Sequence, residues 1–292
     1  MAATSARAEL ARAKVNLTLS VIGRRADGYH DIESLVVFAD EGDALSFAPA
    51  KRLELTVRGP TAEAAGAVAD NLVLKAGRAL AERIEGLKLG RFVLSKRLPV
   101  AAGVGGGSSD AAAALRLLAR HNRIAIDDPH LKEAARATGA DVPVCLDPRP
   151  RVMRGTGDIL SAPLDLPRLP AVLVNPRVAV PTKDVFAKLA AGPSRAAPDA
   201  GAVETVPPDR AGYLGYIGSG TNDLEPPALL IQPAVAEVLA ALRALGACRL
   251  ARMSGSGATC FGLFDSGRAA AAAAMALRKR NPGWWIRATT LG

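Results

Sequence analysis

Aromatic side chains are scarce in this sequence. They make up 4% of its 292 residues, with two tryptophans and three tyrosines. That leaves little for base stacking, so the formal net charge of +9 points to an anionic small molecule and not to nucleic acid. Histidine is as rare, three in all, and its positions offer no second ligand at metal spacing, which argues against zinc. Cys145, Cys248 and Cys260 are odd in number and lack CxxC or Cys/His spacing. They exclude a disulfide frame and fit reduced thiols, so a cytoplasmic location is expected. No apolar run reaches the roughly 18 residues a membrane span needs, so no membrane partner is expected. Met1–Arg12 is rich in Ala and Arg and faintly like a transit peptide. Patterned sequence nevertheless starts near Leu10, leaving too little room for a cleaved leader.

What the chain does have is glycine in one telling place. In Leu98–Leu115, Gly103, Gly105, Gly106 and Gly107 precede Ser108, Ser109, Asp110 and an Ala/Leu run. Glycines let backbone N–H groups approach a ligand closely, and a helix starting behind them adds unpaired N–H groups and a positive dipole end. Ser108 or Ser109 is the expected N-cap, with Asp110 in the first turn. No lysine lies between Gly103 and Asp110, which excludes a P-loop. Ser108 stands where a dinucleotide fingerprint needs glycine. A flexible linker does not open into an uninterrupted apolar helix, so a phosphate cradle is the better reading.

Elsewhere, Lys14–Val21 alternates strictly, with Lys14, Asn16, Thr18 and Ser20 on one face, which predicts a strand. Gly23–Gly28 reads as a turn before a strand through Leu35–Phe38, with short strands near Leu45–Phe47 and Leu53–Val57. Asp70 or Asn71 caps a helix to about Ile84, and Phe92–Lys96 is a strand leading into the glycines. Asp128-Pro129 opens a helix that Gly139 closes, whereas Arg149–Leu160 and Leu164–Pro170 show weak structure. Ala171–Asn175 is a strand, and Gly192–Pro208 reads as a surface loop. A helix from Pro233 to Gly246, a Gly/Ser loop and strand in Leu250–Phe264, a helix over Gly267–Arg280 and a strand over Trp284–Thr289 complete the chain. The irregular order predicts a mixed α/β (α+β) protein and not a regular barrel.

Lys14 reads either as a solvated strand residue or as a fixed charge facing phosphate. Asp141, in Gly139-Ala-Asp-Val-Pro143, reads either as a turn aspartate or as a partly buried acid. Phosphoryl transfer to a hydroxyl needs a carboxylate beside a cation, a pair that only the fold can bring together. His30, beside Tyr29, is a core histidine or an edge that grips a planar base. Ser254-Gly-Ser-Gly257 is a plain turn or a second set of backbone donors.

Three separated motifs together resemble the GHMP kinase superfamily: Ala13–Leu17 with Arg25–His30, Leu98–Leu115, and Ser254–Ala258. The resemblance runs from about Ala13 to Phe264 and is weakest over Gly192–Tyr216. It implies a two-domain fold: a ribosomal-protein-S5-domain-2-like nucleotide domain over residues 1–160, and a ferredoxin-like α+β substrate domain over 161–292. It implies ATP and Mg²⁺ as cofactors, Asp141 as the catalytic base and Lys14 as its partner. By the same resemblance Asn71, Lys96, Pro99, Gly103, Gly105, Gly106, Gly107, Ser108 and Ser109 lie at the nucleotide. Asn16, Tyr29, His30, Asp141, Thr182 and Phe186 lie at the substrate, and the metal-holding residue stays unassigned. The finer motifs resemble members that phosphorylate a hydroxyl of a cytidine diphospho sugar alcohol in non-mevalonate isoprenoid synthesis. A monomer or weak homodimer is expected. Asp158 and Thr156 depart from the family, which usually has a glutamate and an aliphatic residue there. Alternatives are a GHMP kinase for another small alcohol, a nucleotide sensor without transfer, and, on charge alone, a nucleic-acid module.

Overall fold

In the computed structural model, residues 7–189, 192 and 206–292 are described. The chain begins with β1 (Arg7–Asn16), β2 (Ser20–Arg24), β3 (His30–Pro49), β4 (Glu54–Arg58), α1 (Leu72–Ala81) and β5 (Gly90–Ser95). Next come α2 (Gly106–Asn122), α3 (Pro129–Thr138), α4 (Val142–Leu146), β6 (Arg151–Gly155), β7 (Ile159–Leu160) and β8 (Leu169–Asn175). It ends with α5 (Thr182–Lys188), α6 (Arg210–Ser219), α7 (Glu225–Ile231), α8 (Ala234–Arg243), β9 (Leu250–Met253), β10 (Cys260–Leu263), α9 (Gly267–Arg280) and β11 (Trp285–Leu291).

Two compact units interleave along the chain. The first takes the described residues up to Ala13, Glu41–Val100 and Gly105–Pro148. The second takes Lys14–Asp40, Ala101–Val104 and the described residues from Arg149 to Gly292. In the first, β4 runs parallel to β5, and β5 runs antiparallel to the second half of β3. The helix α2 packs on α1, α3 and α4, with Ala111–Ala114 wholly buried. Alanine there lets neighbouring helices approach closely at no side-chain entropy cost. Under the sheet, Phe47 packs on Phe92 and on His121.

In the second unit the strand order is β3–β11–β8–β10–β9, antiparallel throughout. Taken from β8 onward, β11–β8–β10–β9 is the arrangement of a ferredoxin-like sheet, and α8 and α9 pack on it. The first half of β3 pairs with β2 and β6, and β6 pairs with β7.

Several local expectations are corrected. The helix behind the glycines does not start at Ser108 or Ser109. Its N-cap is Gly105, left-handed at φ 59°, and Asp110 lies beyond the first turn. Glycine is itself a good cap and carries no Cβ penalty in that conformation. The single strand expected over Lys14–Val21 is broken, since β1 ends at Asn16 and β2 begins at Ser20, and residues 13–19 are all buried, Lys14 to 4% exposure. The two short segments around residues 35–47 are one 20-residue strand, β3. The polar run Asp40–Asp43 continues it because Asp43 spends its carboxylate on the residues after β5. Arg149–Leu160 is paired, as β6 and β7. The departing residues make the turn between them: Asp158 accepts from the Thr156 N–H and hydroxyl, both at 3.0 Å. Residues 193–205 of the expected Gly192–Pro208 loop lie outside the described residues. Among the described residues no helix is long and apolar enough to cross a membrane, and the three cysteines are free thiols.

Candidate active site

In the first unit the glycine stretch enters α2. With Gly105 as cap, the N–H groups of Gly106, Gly107 and Ser108 have no carbonyl one turn behind them. The first intrahelical bond runs from the Ser109 N–H to the Gly105 carbonyl at 2.8 Å. A 17-residue helix directs the positive end of its dipole to the same spot. Gly107 sits against the first turn of α1, where an added Cβ would meet Leu72 at 3.3 Å. Ser109 is buried and its hydroxyl donates to Cys145 Sγ at 3.4 Å, whereas its neighbour Ser108 is a partly exposed residue. Asn71 caps α1, accepting from the Val73 N–H at 3.0 Å.

Beside this helix start lies a buried ion cluster. Lys96 Nζ donates to Asp43 Oδ2 at 2.5 Å and to Asp110 Oδ2 at 2.9 Å. Asp43 Oδ1 also accepts from the Leu98 N–H at 2.9 Å and from the Arg97 N–H. A Cβ on Gly106 would stand 3.6 Å from Lys96 Nζ, so the ammonium is held at the helix mouth. Burial opposes the Lys96 charge, but Asp110 and Asp43 outweigh it and raise its pKa. The Asp110 pKa is raised as well, which favours its neutral form. Burial, reinforced by Asp43 and opposed by Lys96, pushes it up to about 7 from 3.8, and its Oδ1 has no partner among the described residues.

Native Asp110 therefore keeps a proton that an unfolded aspartate has released. Between about pH 4 and about pH 7 the native state binds more protons, and this group's contribution to stability falls as pH rises. Asp110→Asn removes that loss while keeping an acceptor for Lys96. Urea unfolding should show the variant gaining on the wild type, by a few kcal/mol at most, as pH rises from about 4 to about 7, and holding that gain above it. A difference independent of pH refutes the assignment.

Asp141 occupies the N-cap position of α4 without a side-chain capping bond and is half-buried. Lys14 belongs to the second unit, where its N–H donates to the Val104 carbonyl at 2.9 Å. There the loop after β9 meets the front of the glycine stretch. Ser254 Oγ accepts from the Asn16 N–H at 3.0 Å and donates to the Gly103 carbonyl at 2.9 Å. Gly103 has φ 71°, and an added Cβ would strike the Ser254 carbonyl oxygen at 2.3 Å, so no other residue fits. Asn222 Nδ2 secures that loop by donating to the Met253 and Gly255 carbonyls at 2.9 and 2.8 Å. Thr182, at the start of α5, exchanges a 2.7 Å bond with Ser256. One turn on, Phe186 stacks on His30 with centroids 4.7 Å apart and planes inclined by 26°. Burial, aided by Arg24, lowers the His30 pKa, and Tyr29 stands 64% exposed alongside.

The second unit thus gathers Asn16, Gly103 and Ser254 in one hydrogen-bond network, and His30 with Phe186 in one stack. The first gathers Lys96 and the start of α2. Asp43, Ser34 and Asn222 escaped sequence reasoning, because each is an ordinary polar residue whose partners are distant in the chain. Only Asp110, directly behind the serines, carried a positional hint.

A glycine-capped buried helix in one unit and a ferredoxin-like sheet in the other is the architecture of GHMP kinases. The model of the GHMP kinases N terminal domain matches residues 71–147, and that of the GHMP kinases C terminal matches 213–283. A Xanthobacter autotrophicus protein named 4-diphosphocytidyl-2-C-methyl-D-erythritol kinase is 59% identical, over 96% of this chain and 97% of its own length. A Rhodopseudomonas palustris protein of the same name is 58% identical, over 96% of each chain. A crystal structure of 4-(cytidine 5'-diphospho)-2C-methyl-D-erythritol kinase superposes with a TM-score of 0.78 at 36% identity, covering 98% of this chain and 99% of that one. A homoserine kinase from Cytophaga hutchinsonii shares the fold, with a TM-score of 0.71 at 19% identity, over 100% of this chain and 96% of its own. The chain belongs to the 4-diphosphocytidyl-2-C-methyl-D-erythritol kinases.

Proposed function

We propose that this chain transfers the γ-phosphoryl group of ATP to the 2-hydroxyl of 4-diphosphocytidyl-2-C-methyl-D-erythritol, in the cytoplasm, on the non-mevalonate route to isoprenoid precursors. The observation that carries the reading is the mouth of α2: three N–H groups without carbonyl partners beside the fixed Lys96 ammonium. That arrangement suits a polyphosphate, and the names of the relatives supply the acceptor. Gly103, Gly105, Gly106, Gly107, Ser108 and Ser109 form the phosphate-binding stretch, with Asn71, Lys96 and Pro99 near the nucleotide. Asn16, Tyr29, His30, Thr182 and Phe186 receive the cytidine diphospho alcohol.

Asp141 takes the proton of the 2-hydroxyl as that oxygen bonds to the γ-phosphorus. The bond from phosphorus to the β–γ bridging oxygen breaks, and ADP leaves with its electron pair. Lys14 is the cationic partner of Asp141 and steadies the transferring group. Magnesium, when bound with ATP, neutralises phosphate charge; it needs few protein oxygens because phosphate and water supply the rest. The hydroxyl of Ser108, a partly exposed residue, fits as such an oxygen, since the Ser109 hydroxyl is taken up by Cys145.

A coupled assay of ADP release tests the reading with the cytidine diphospho alcohol, homoserine, mevalonate and no acceptor. Turnover is expected with the first alone. Turnover with homoserine or mevalonate instead assigns a different alcohol, and ATP binding without product with any of them assigns a sensor.

A further inference from the structure

Asn16 is 1% exposed, so both ends of its amide need partners. Its Nδ2 lies 2.7 Å from Ser34 Oγ, and Ser34 Oγ lies 2.6 Å from the Thr18 carbonyl oxygen. A hydroxyl has one proton to give and a carbonyl has none. The Ser34 proton therefore goes to Thr18, and toward Asn16 the Ser34 oxygen only accepts. The NH₂ end of the amide alone answers that demand. Turning the amide round would set two acceptors face to face.

The rest of the network is rigid. Ser34 is wholly buried. The Leu17 N–H bonds to the Leu35 carbonyl at 2.8 Å, and the Leu35 N–H bonds to Thr18 Oγ1 at 3.2 Å, which holds the Thr18 carbonyl in place. Asn16 Oδ1 is thereby turned away from Ser34. It is buried with no hydrogen-bond partner among the described residues, and a Cβ on Gly255 would come 3.4 Å from it. An acceptor so placed is costly until a donor arrives.

We propose that Ser34 is a positioning residue that fixes the polarity of Asn16, so that the ligand meets an acceptor there and must present a donor. An alcohol hydroxyl satisfies it, whereas a carboxylate, carbonyl or phosphate oxygen does not. The inference rests on the proposed reading that Asn16 faces the acceptor alcohol.

Two measurements test it together. In steady-state kinetics Ser34→Ala should raise KM for the alcohol about tenfold and leave KM for ATP unchanged. Ser34→Thr, which keeps the hydroxyl, should restore the wild-type value, and Ser34→Ala should add nothing in an Asn16→Ala background. Independently of turnover, the Asn16 side-chain NH₂ signal is identified in ¹H–¹⁵N spectra by its loss in Asn16→Ala. One of its protons should exchange slowly in the wild type and in Ser34→Thr, and rapidly in Ser34→Ala. A Ser34→Ala loss of equal size with and without Asn16, or an Asn16 signal indifferent to Ser34, overturns the proposal. If the wild type phosphorylates no alcohol while the signal follows Ser34, the kinase reading falls and the positioning of Asn16 by Ser34 stands.

Discussion

Replacing Asp141 by asparagine should lower kcat by about 10²–10⁴ while ATP binds within a few-fold of the wild type. The substitution keeps the shape of the side chain and removes its capacity to take a proton. Asp141 makes no capping bond to α4, so asparagine does not alter that helix end. On the proposed reading ATP binding draws on the N–H groups at the start of α2, and residue 141 supplies none of them. Single-turnover kinetics with saturating ATP, beside ATP titration by calorimetry, separate the two effects. Near-native turnover in Asp141→Asn would remove Asp141 from the role of base. Equal losses in ATP affinity and turnover would make it a structural residue of the nucleotide site.

The second large effect is on stability. Lys96 joins two carboxylates that are almost wholly buried. Lys96→Met leaves those charges without their cation, a change that costs about 3–5 kcal/mol for a buried pair. The two carboxylates escape differently. Asp110, already pushed up to about 7, sheds its charge by keeping its proton. Asp43 still accepts from the Arg97 and Leu98 N–H groups. Adding Asp110→Asn to Lys96→Met should therefore recover part of the loss, and the two substitutions should be clearly non-additive in urea unfolding. A Lys96→Met cost below about 1 kcal/mol would mean that the cluster is solvated like a surface pair.

Those partners explain what could and could not be read ahead of the coordinates. The helix over Gly267–Arg280 was bounded correctly because its signals are local: Ser266 caps it, and arginine and lysine fill its last turn. A cap at Asp70 or Asn71, of which the structure uses Asn71, and the Asp128-Pro129 start are legible for the same reason. The cap of α2 lies three or four residues before the expected serines, because a capping rule favouring serine competes with a glycine in the left-handed region. Lys14 illustrates the opposite limit. Alternation along a strand separates two faces but does not say whether both are covered, and here both are.

Sequence alone determined the family, because the three motifs that carry it, Ala13–Leu17 with Arg25–His30, Leu98–Leu115 and Ser254–Ala258, are each contiguous runs of residues. The tertiary structure alone decided which side chains meet. Asp43 lies 53 positions from Lys96, Ser34 lies 18 from Asn16, and Ser254 lies 151 from Gly103. Hydrogen bonds and ion pairs act over a few ångströms whatever the separation along the chain, so no local pattern encodes them. That Asn16 Oδ1 has no hydrogen-bond partner among the described residues follows from that same rule, since only a folded neighbour could decide which end of the amide turns to Ser34.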